Sequence, residues 1–166
     1  MKAAVRLHDR SEGRPSMEIV AFEPGHAQAF KVLNEAWISK HFVLEPKDRE
    51  VLEDPQGKIL AKGGRIFMAL QDGEAVGCVA LLKMADGGYE VAKMTVSEAV
   101  RGSGLGRLLM QRCIDAGAED GVPRLYLETN SSLAPALGLY RAMGFEHLAP
   151  AETEYARADV FMERRY

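Results

Sequence analysis

The chain has 166 residues, 47% of them apolar and 27% charged, with a net charge of −3. That is the length of one ordinary domain with a real core, and the negative balance removes the long-range attraction that nucleic-acid binding needs. No apolar run reaches the roughly 18 residues of a membrane-crossing helix, so neither nucleic acid nor a membrane is expected as a partner.

Residues 1–16 are mixed and polar and lack the apolar centre of a signal peptide. They read as a disordered leader ahead of a single folded domain over 17–166. Residues 17–22 look like a first strand, and Pro24-Gly25 turns the chain. From His26 to His41, Phe30, Leu33, Trp37 and Ile38 recur at helical spacing. A short helix follows Pro46 and stops at the breaker cluster Asp54-Pro55-Gln56-Gly57. Residues 65–70, 75–84 and 89–96 read as three strands, joined by the hairpin signals Asp72-Gly73 and Asp86-Gly87-Gly88. Leu105, Leu108, Leu109, Cys113 and Ala116 mark the apolar stripe of a helix. Residues 123–127 read as a buried strand. Ser131 or Ser132 can cap a helix that runs to Met143 and stops at Gly144. Residues 145–148 and 159–163 look like two last strands.

The order β-α-α-β-β-β-α-β-α-β-β describes an α+β, or mixed α/β, sheet. Cys78 and Cys113 fall within a strand and a helix, as buried thiols of a reducing, cytoplasmic compartment do. His26, His41 and His147 lack metal-ligand spacing, so no metal is expected.

Between the strand ending at Val96 and the next helix lies Arg101-Gly102-Ser103-Gly104-Leu105-Gly106. Glycines let several N–H groups face one concavity without Cβ interference. The helix start adds its positive dipole end, and Arg101 and Arg107 add charge. The combination suits a diphosphate; a flexible strand-to-helix link with incidental glycines is the plainer alternative. A Walker A loop is absent. The dinucleotide pattern Gly-x-Gly-x-x-Gly fails too, because Arg107 or Leu109 falls on its third glycine.

Arg-x-x-Gly-x-Gly after a strand and before a helix resembles the acetyl-CoA loop of the GNAT superfamily of N-acetyltransferases. Tyr89–Val96 looks like the family's fourth strand. Ala136-Leu137-Gly138-Leu139-Tyr140-Arg141-Ala142-Met143-Gly144-Phe145 looks like its signature helix, ending in Tyr-x-x-x-Gly-Phe. The resemblance covers about residues 17–166. It implies a mostly antiparallel central sheet of about seven strands flanked by about four helices, with acetyl-CoA as cosubstrate.

By the same resemblance, the cofactor arm pairs with the backbone of Met94, Thr95 and Val96. The pyrophosphate lies on Arg101, Gly102, Ser103, Gly104, Leu105, Gly106 and Arg107. Tyr140 matches the family's general acid; a helix tyrosine packed by its ring, with its hydroxyl on solvent, is the alternative. Glu90 matches the general base of the histone-acetylating branch, and regular alternation puts it on one face with Ala92, Met94 and Val96; a solvated strand glutamate is the alternative. Many members carry an Asn where this chain has Leu133; Asn130 is the nearest amide and either contacts the cofactor arm or begins the helix. Trp37, His41, Phe42, Glu45 and Asp48 lie where the family builds its acceptor pocket, and the two carboxylates would suit a cationic acceptor; packing of an amphipathic helix on the sheet is the alternative for Trp37 and Phe42, and plain surface carboxylates for the other two.

The function implied is acetyl transfer from acetyl-CoA to a primary amine by direct attack in a ternary complex. A small-molecule amine is favoured over a protein. A CoA-binding sensor with little turnover is the rival. Oligomeric state stays open, although members of the family often pair as homodimers.

Overall fold

The computed structural model describes residues 5–7 and 16–166. Eight strands form one sheet in the order β1-β2-β3-β4-β5-β6-β8-β7. They are β1 (Val5–Leu7), β2 (Met17–Ala21), β3 (Arg65–Gln71), β4 (Glu74–Lys83), β5 (Tyr89–Val96), β6 (Arg124–Thr129), β7 (Glu146–His147) and β8 (Val160–Arg165). The helices are α1 (Ala27–His41), α2 (Pro46–Glu53), α3 (Leu105–Glu119) and α4 (Ala134–Ala142). Every neighbouring pair is antiparallel except β5 and β6.

Alternation in the central strands splits the core into two layers. Ile66, Met68, Cys78 and Ala80 face α1 and α2, where they meet Phe30, Ile38, Val51 and Leu52. Phe67, Ala69, Val79 and Leu81 face the other way, onto Leu105, Leu109, Met110 and Cys113 of α3. The β3–β4 hairpin turns on Asp72 (φ 49°) and Gly73 (φ 85°). Two successive positive φ angles make the tight turn whose twist matches the strands. Helix α2 starts on Pro46, and the Asp48 carboxylate accepts the Glu45 N–H at 2.9 Å, closing a capping box.

Three sequence expectations change. Residues 5–7, read as leader, form β1 and pair antiparallel with Met17, Glu18 and Ile19; the other residues of 1–15 lie outside the described residues. Helix α2 ends at the 54–57 cluster as expected, but the chain beyond it is not a plain break. A π-helical turn follows at Gln56–Leu60 and buries Ile59, which is 1% exposed. Finally, neither Ser131 nor Ser132 caps α4. The Ser131 N–H and hydroxyl both donate to Asp159, each at 2.7 Å, and Leu133 stands at the N-cap without a side-chain cap.

Ile59 explains why the chain winds on through the breaker cluster, since its burial offsets an irregular turn. Ile59→Ala is expected to cost about 2–4 kcal/mol in chemical denaturation, the cost of an unfilled core site.

Candidate active site

The parallel pairing of β5 with β6 lasts two positions, Tyr89 with Leu125 and Glu90 with Tyr126. Beyond it the strands part. The opening is a cleft of about 620 Å³ lined by Val91 to Val96 on one side and Leu127 to Asn130 on the other. Trp37 and His41 of α1 and the following Phe42 also line it, as do Arg101, Leu133, Leu139 and Tyr140.

A bulge in β5 sets what this cleft sees. Thr95 opposes Cys78 and Ala92 opposes Ala80, so Lys93 and Met94 share one place opposite Val79. Lys93 takes φ 55°, a left-handed conformation for a branchless cationic residue. The extra residue breaks the regular alternation. Met94 and Val96 pack on the α3 layer, whereas Thr95 turns to α1 and is 3% exposed, its hydroxyl 3.5 Å from the Leu33 carbonyl. The expected single face of Glu90, Ala92, Met94 and Val96 is therefore corrected. Glu90 also stands just outside the cleft lining, although Ala92 and Lys93 are in it.

The glycine turn is built as expected in outline. Gly102 (φ 80°) and Gly104 (φ 84°) hold conformations that disfavour a Cβ, and no protein atom lies within 4 Å of where either Cβ would be. The Arg101 and Ser103 amides are used inside the turn, donating to Glu98 and Val100 carbonyls at 3.2 Å. The Leu105, Gly106 and Arg107 amides precede the first intrahelical bond, from Leu108 N–H to Gly104 C=O. They open the helix with its positive end. Neither Arg101 nor Arg107 forms an ion pair with another described residue, and Arg101 lines the cleft. Free amides, uncommitted cations and open space fit an anionic diphosphate.

Tyr140 lines the cleft beside this end, its ring 6.0 Å from that of Phe145. Its hydroxyl has no hydrogen-bond partner among the described residues. Burial pushes its pKa up to about 12, so it holds its proton at neutral pH. Asn130 lines the cleft as well, with its amide largely committed. It donates to the Arg157 carbonyl at 2.7 Å and accepts the Ser132 N–H at 2.8 Å, leaving one N–H.

Glu128, which the sequence reading passed over, lines the cleft. It accepts hydrogen bonds from Thr153 at 3.1 Å and Tyr126 at 3.3 Å, and burial raises its pKa. Glu90 lies on the same face of the neighbouring strand. Burial, then the Glu128 charge, lift the Glu90 carboxyl to about 7. The alternation of Tyr126 and Glu128 against Leu125 and Leu127 was the available sequence signal; the closeness of the two carboxylates needed the β5–β6 register.

Glu45 and Asp48 do not face the cleft. Asp48 is 0% exposed and accepts from Lys93 Nζ and from both Arg157 Nη atoms, each at 2.7 Å. Glu45 accepts from Arg157 at 3.0 Å and from the Ala156 N–H at 2.9 Å. Burial alone would raise the Asp48 carboxyl, but the bonds from Arg157 and Lys93 outweigh it and hold it at about 2. Lys93 and Arg157 thus take the place expected for a cationic acceptor. Neither cysteine lines the cleft; both thiols are buried, and Cys78 is pushed up to about 12 by burial. Among the described residues, no group of three or more His, Cys, Asp or Glu could hold a metal.

This fold and cleft define an acyltransferase-like domain. The chain belongs to the acetyltransferase (GNAT) family, which it matches over residues 28–145. It is 38% identical over 87 residues to IAA acetyltransferase of Azospirillum brasilense, covering 52% of this chain and 57% of that one. It is 37% identical over 79 residues to the N-alpha-acetyltransferase RimI of Mycobacterium tuberculosis, covering 46% and 48%. The chain thus spans about half the length of these curated relatives. A GNAT-family acetyltransferase from Staphylococcus aureus superposes with a TM-score of 0.81 at 18% identity, over 90% of this chain and 98% of that one. The PaiA N-acetyltransferase of Thermoplasma acidophilum, in complex with coenzyme A, gives 0.72 at 17% identity, over 91% and 99%. At such identities the likeness is one of fold.

Asp48→Ala would leave the buried Lys93 without its counter-ion and Arg157 with Glu45 alone. It is expected to destabilise the fold by about 3–5 kcal/mol in urea denaturation. The depressed Asp48 carboxyl also adds stability that is present above pH 4 and lost as pH falls toward 2, by about 2 kcal/mol. Acid titration of Tm in wild type and in Asp48→Asn should differ across that window.

Proposed function

We propose that this chain is an N-acetyltransferase that moves the acetyl group of acetyl-CoA to a primary amine by direct attack in a ternary complex. The observation that carries the reading is the splay of β5 from β6, with open helix amides at one end and Tyr140 beside it. Acetyl-CoA supplies the thioester and, on transfer, the departing thiolate. The Leu105, Gly106 and Arg107 amides hold the pyrophosphate, flanked by Arg101, Gly102, Ser103 and Gly104. The β5 edge at Met94, Thr95 and Val96 pairs with the cofactor arm, as extended ligands pair with an unladdered strand. The remaining Asn130 N–H is available to the same arm.

Tyr140 carries the proton that the leaving thiolate takes, and its raised pKa keeps that proton in place until then. Glu128 accepts the proton from the acceptor ammonium, with Glu90 beside it on the adjacent strand. The buried cysteines leave no thiol at the cleft to carry the acetyl group, which supports direct attack. A small amine is favoured because the cleft is a confined volume within one domain. Relatives named for IAA and streptothricin support that choice, while the RimI relative leaves a protein N-terminus as the competing acceptor.

Calorimetry with acetyl-CoA tests the phosphate site. Gly104→Val forces a β-branched residue into φ 84° and is expected to weaken binding at least about 10-fold. Tyr140→Phe should lower kcat about 10²-fold with acetyl-CoA affinity unchanged; normal turnover would remove the acid role. Tight acetyl-CoA binding without thiol release across an amine panel would favour a sensor. Both carboxyls are raised, Glu90 to about 7 and Glu128 above its ordinary value, so they are protonated at low pH and ionise as pH rises. Turnover should therefore rise with pH as Glu128 ionises, and Glu90→Gln should shift that limb to lower pH by removing the neighbouring charge.

A further inference from the structure

We infer that the acceptor end of the cleft is shaped for a primary amine carried on a flat aromatic body with no second positive charge. The amine's reaction rests on the acetyl-transfer reading above; the site is argued from its own residues.

The first observation is the ring surface. Trp37, His41 and Phe42 line the cleft from the end of α1, with Trp37 5.0 Å from His41 and 6.1 Å from Phe42, centroid to centroid. Tyr155 lines it from the connection between β7 and β8. Core aromatics such as Phe30 and Phe67 are closed off, at 0% and 2% exposure, whereas Trp37 and Phe42 stay only partly buried. Their uncovered faces form an apolar wall on which a flat ring can stack in offset or edge geometry.

The second observation is the arrangement of charge. Lys93 and Arg157 line the cleft, whereas their counter-carboxylates Asp48 and Glu45 stand behind them and do not. These cations also already occupy ring faces. Lys93 lies 4.8 Å from the Tyr155 centroid, and Arg157 lies 4.6 Å from Tyr155 and 6.0 Å from Phe42. A second ammonium on the acceptor would meet like charge, and the cation–π capacity of these rings is already used. Among the described residues lining the cleft, Glu128 is the one carboxylate. One amine has a partner there; two do not.

Trp37 is the chain's one tryptophan, so its emission reports on this wall directly. The full chain is titrated with phenethylamine, n-butylamine and spermidine, following Trp37 emission and binding heat. Phenethylamine is expected to bind saturably and at least about 10-fold more tightly than the other two, a difference of about 1.4 kcal/mol. Phe42→Leu keeps the apolar volume and removes a ring. It should weaken phenethylamine about 5-fold and n-butylamine less than about 2-fold, with circular dichroism unchanged. Spermidine binding as tightly as phenethylamine would overturn the inference. So would an equal effect of Phe42→Leu on both monoamines. If phenethylamine binds as expected but no amine releases thiol from acetyl-CoA, the transfer reading fails and the aromatic site stands.

Discussion

The Asp48 carboxylate joins three parts of the chain that share no backbone ladder. It belongs to α2, its partner Lys93 sits in the β5 bulge, and Arg157 belongs to the connection before β8. A fully buried carboxylate is costly unless both oxygens are paired. Here they accept three side-chain bonds, from Lys93 and Arg157, and the Glu45 N–H, so the charge is balanced from two sides. Lys93 gives up a favourable φ to take part, since a left-handed backbone costs a residue with a Cβ about 1 kcal/mol or more. The ion pair offsets that cost and fixes the bulge. The β7–β8 connection, carrying Tyr155, is thereby held against the cleft.

The bulge in turn gives β5 two sides with different tasks. Before it, Tyr89 and Val91 fill the α3 layer while Glu90 looks to the α1 and α2 side. After it, Met94 and Val96 take the α3 layer and Thr95 anchors to α1. The strand can then leave β6 after two paired residues without exposing a core face. At one end of the gap stand the α3 amides, and Tyr140 lies nearby with its proton held by a raised pKa. At the other stand the aromatic wall and the Glu90–Glu128 pair. The aromatic wall and Glu128 thus share one opening with Arg101 and Tyr140, an arrangement suited to bringing two reactants together.

Much of this was legible in the sequence where local chemistry decides. The hairpin at Asp72-Gly73, the helix start at Pro46, the apolar stripe of α3 and the glycine turn all follow from residue type and spacing. Met94, Thr95 and Val96, singled out by the family resemblance and not by local chemistry, line the cleft. What could not be read depended on partners distant in sequence. Lys93 has no glycine-like signal for positive φ; its conformation is explained by Asp48, 45 positions away. Glu45 and Asp48 looked like free carboxylates because Arg157, their counter-ion, lies more than a hundred residues later. Glu128 was overlooked because its tie to Glu90 exists only in the parallel register. Ser131 looked like a helix cap but bonds to Asp159.

A single-turnover experiment bears most directly on the central claim. The protein is mixed with acetyl-CoA carrying a labelled acetyl group, first alone and then with an amine, and protein and small molecules are weighed separately by mass spectrometry. The account predicts unlabelled protein at every time point, no thiol release without amine, and thiol and labelled amide appearing together in equal amounts once amine is added. A labelled protein that forms before the amide and decays into it would contradict direct transfer.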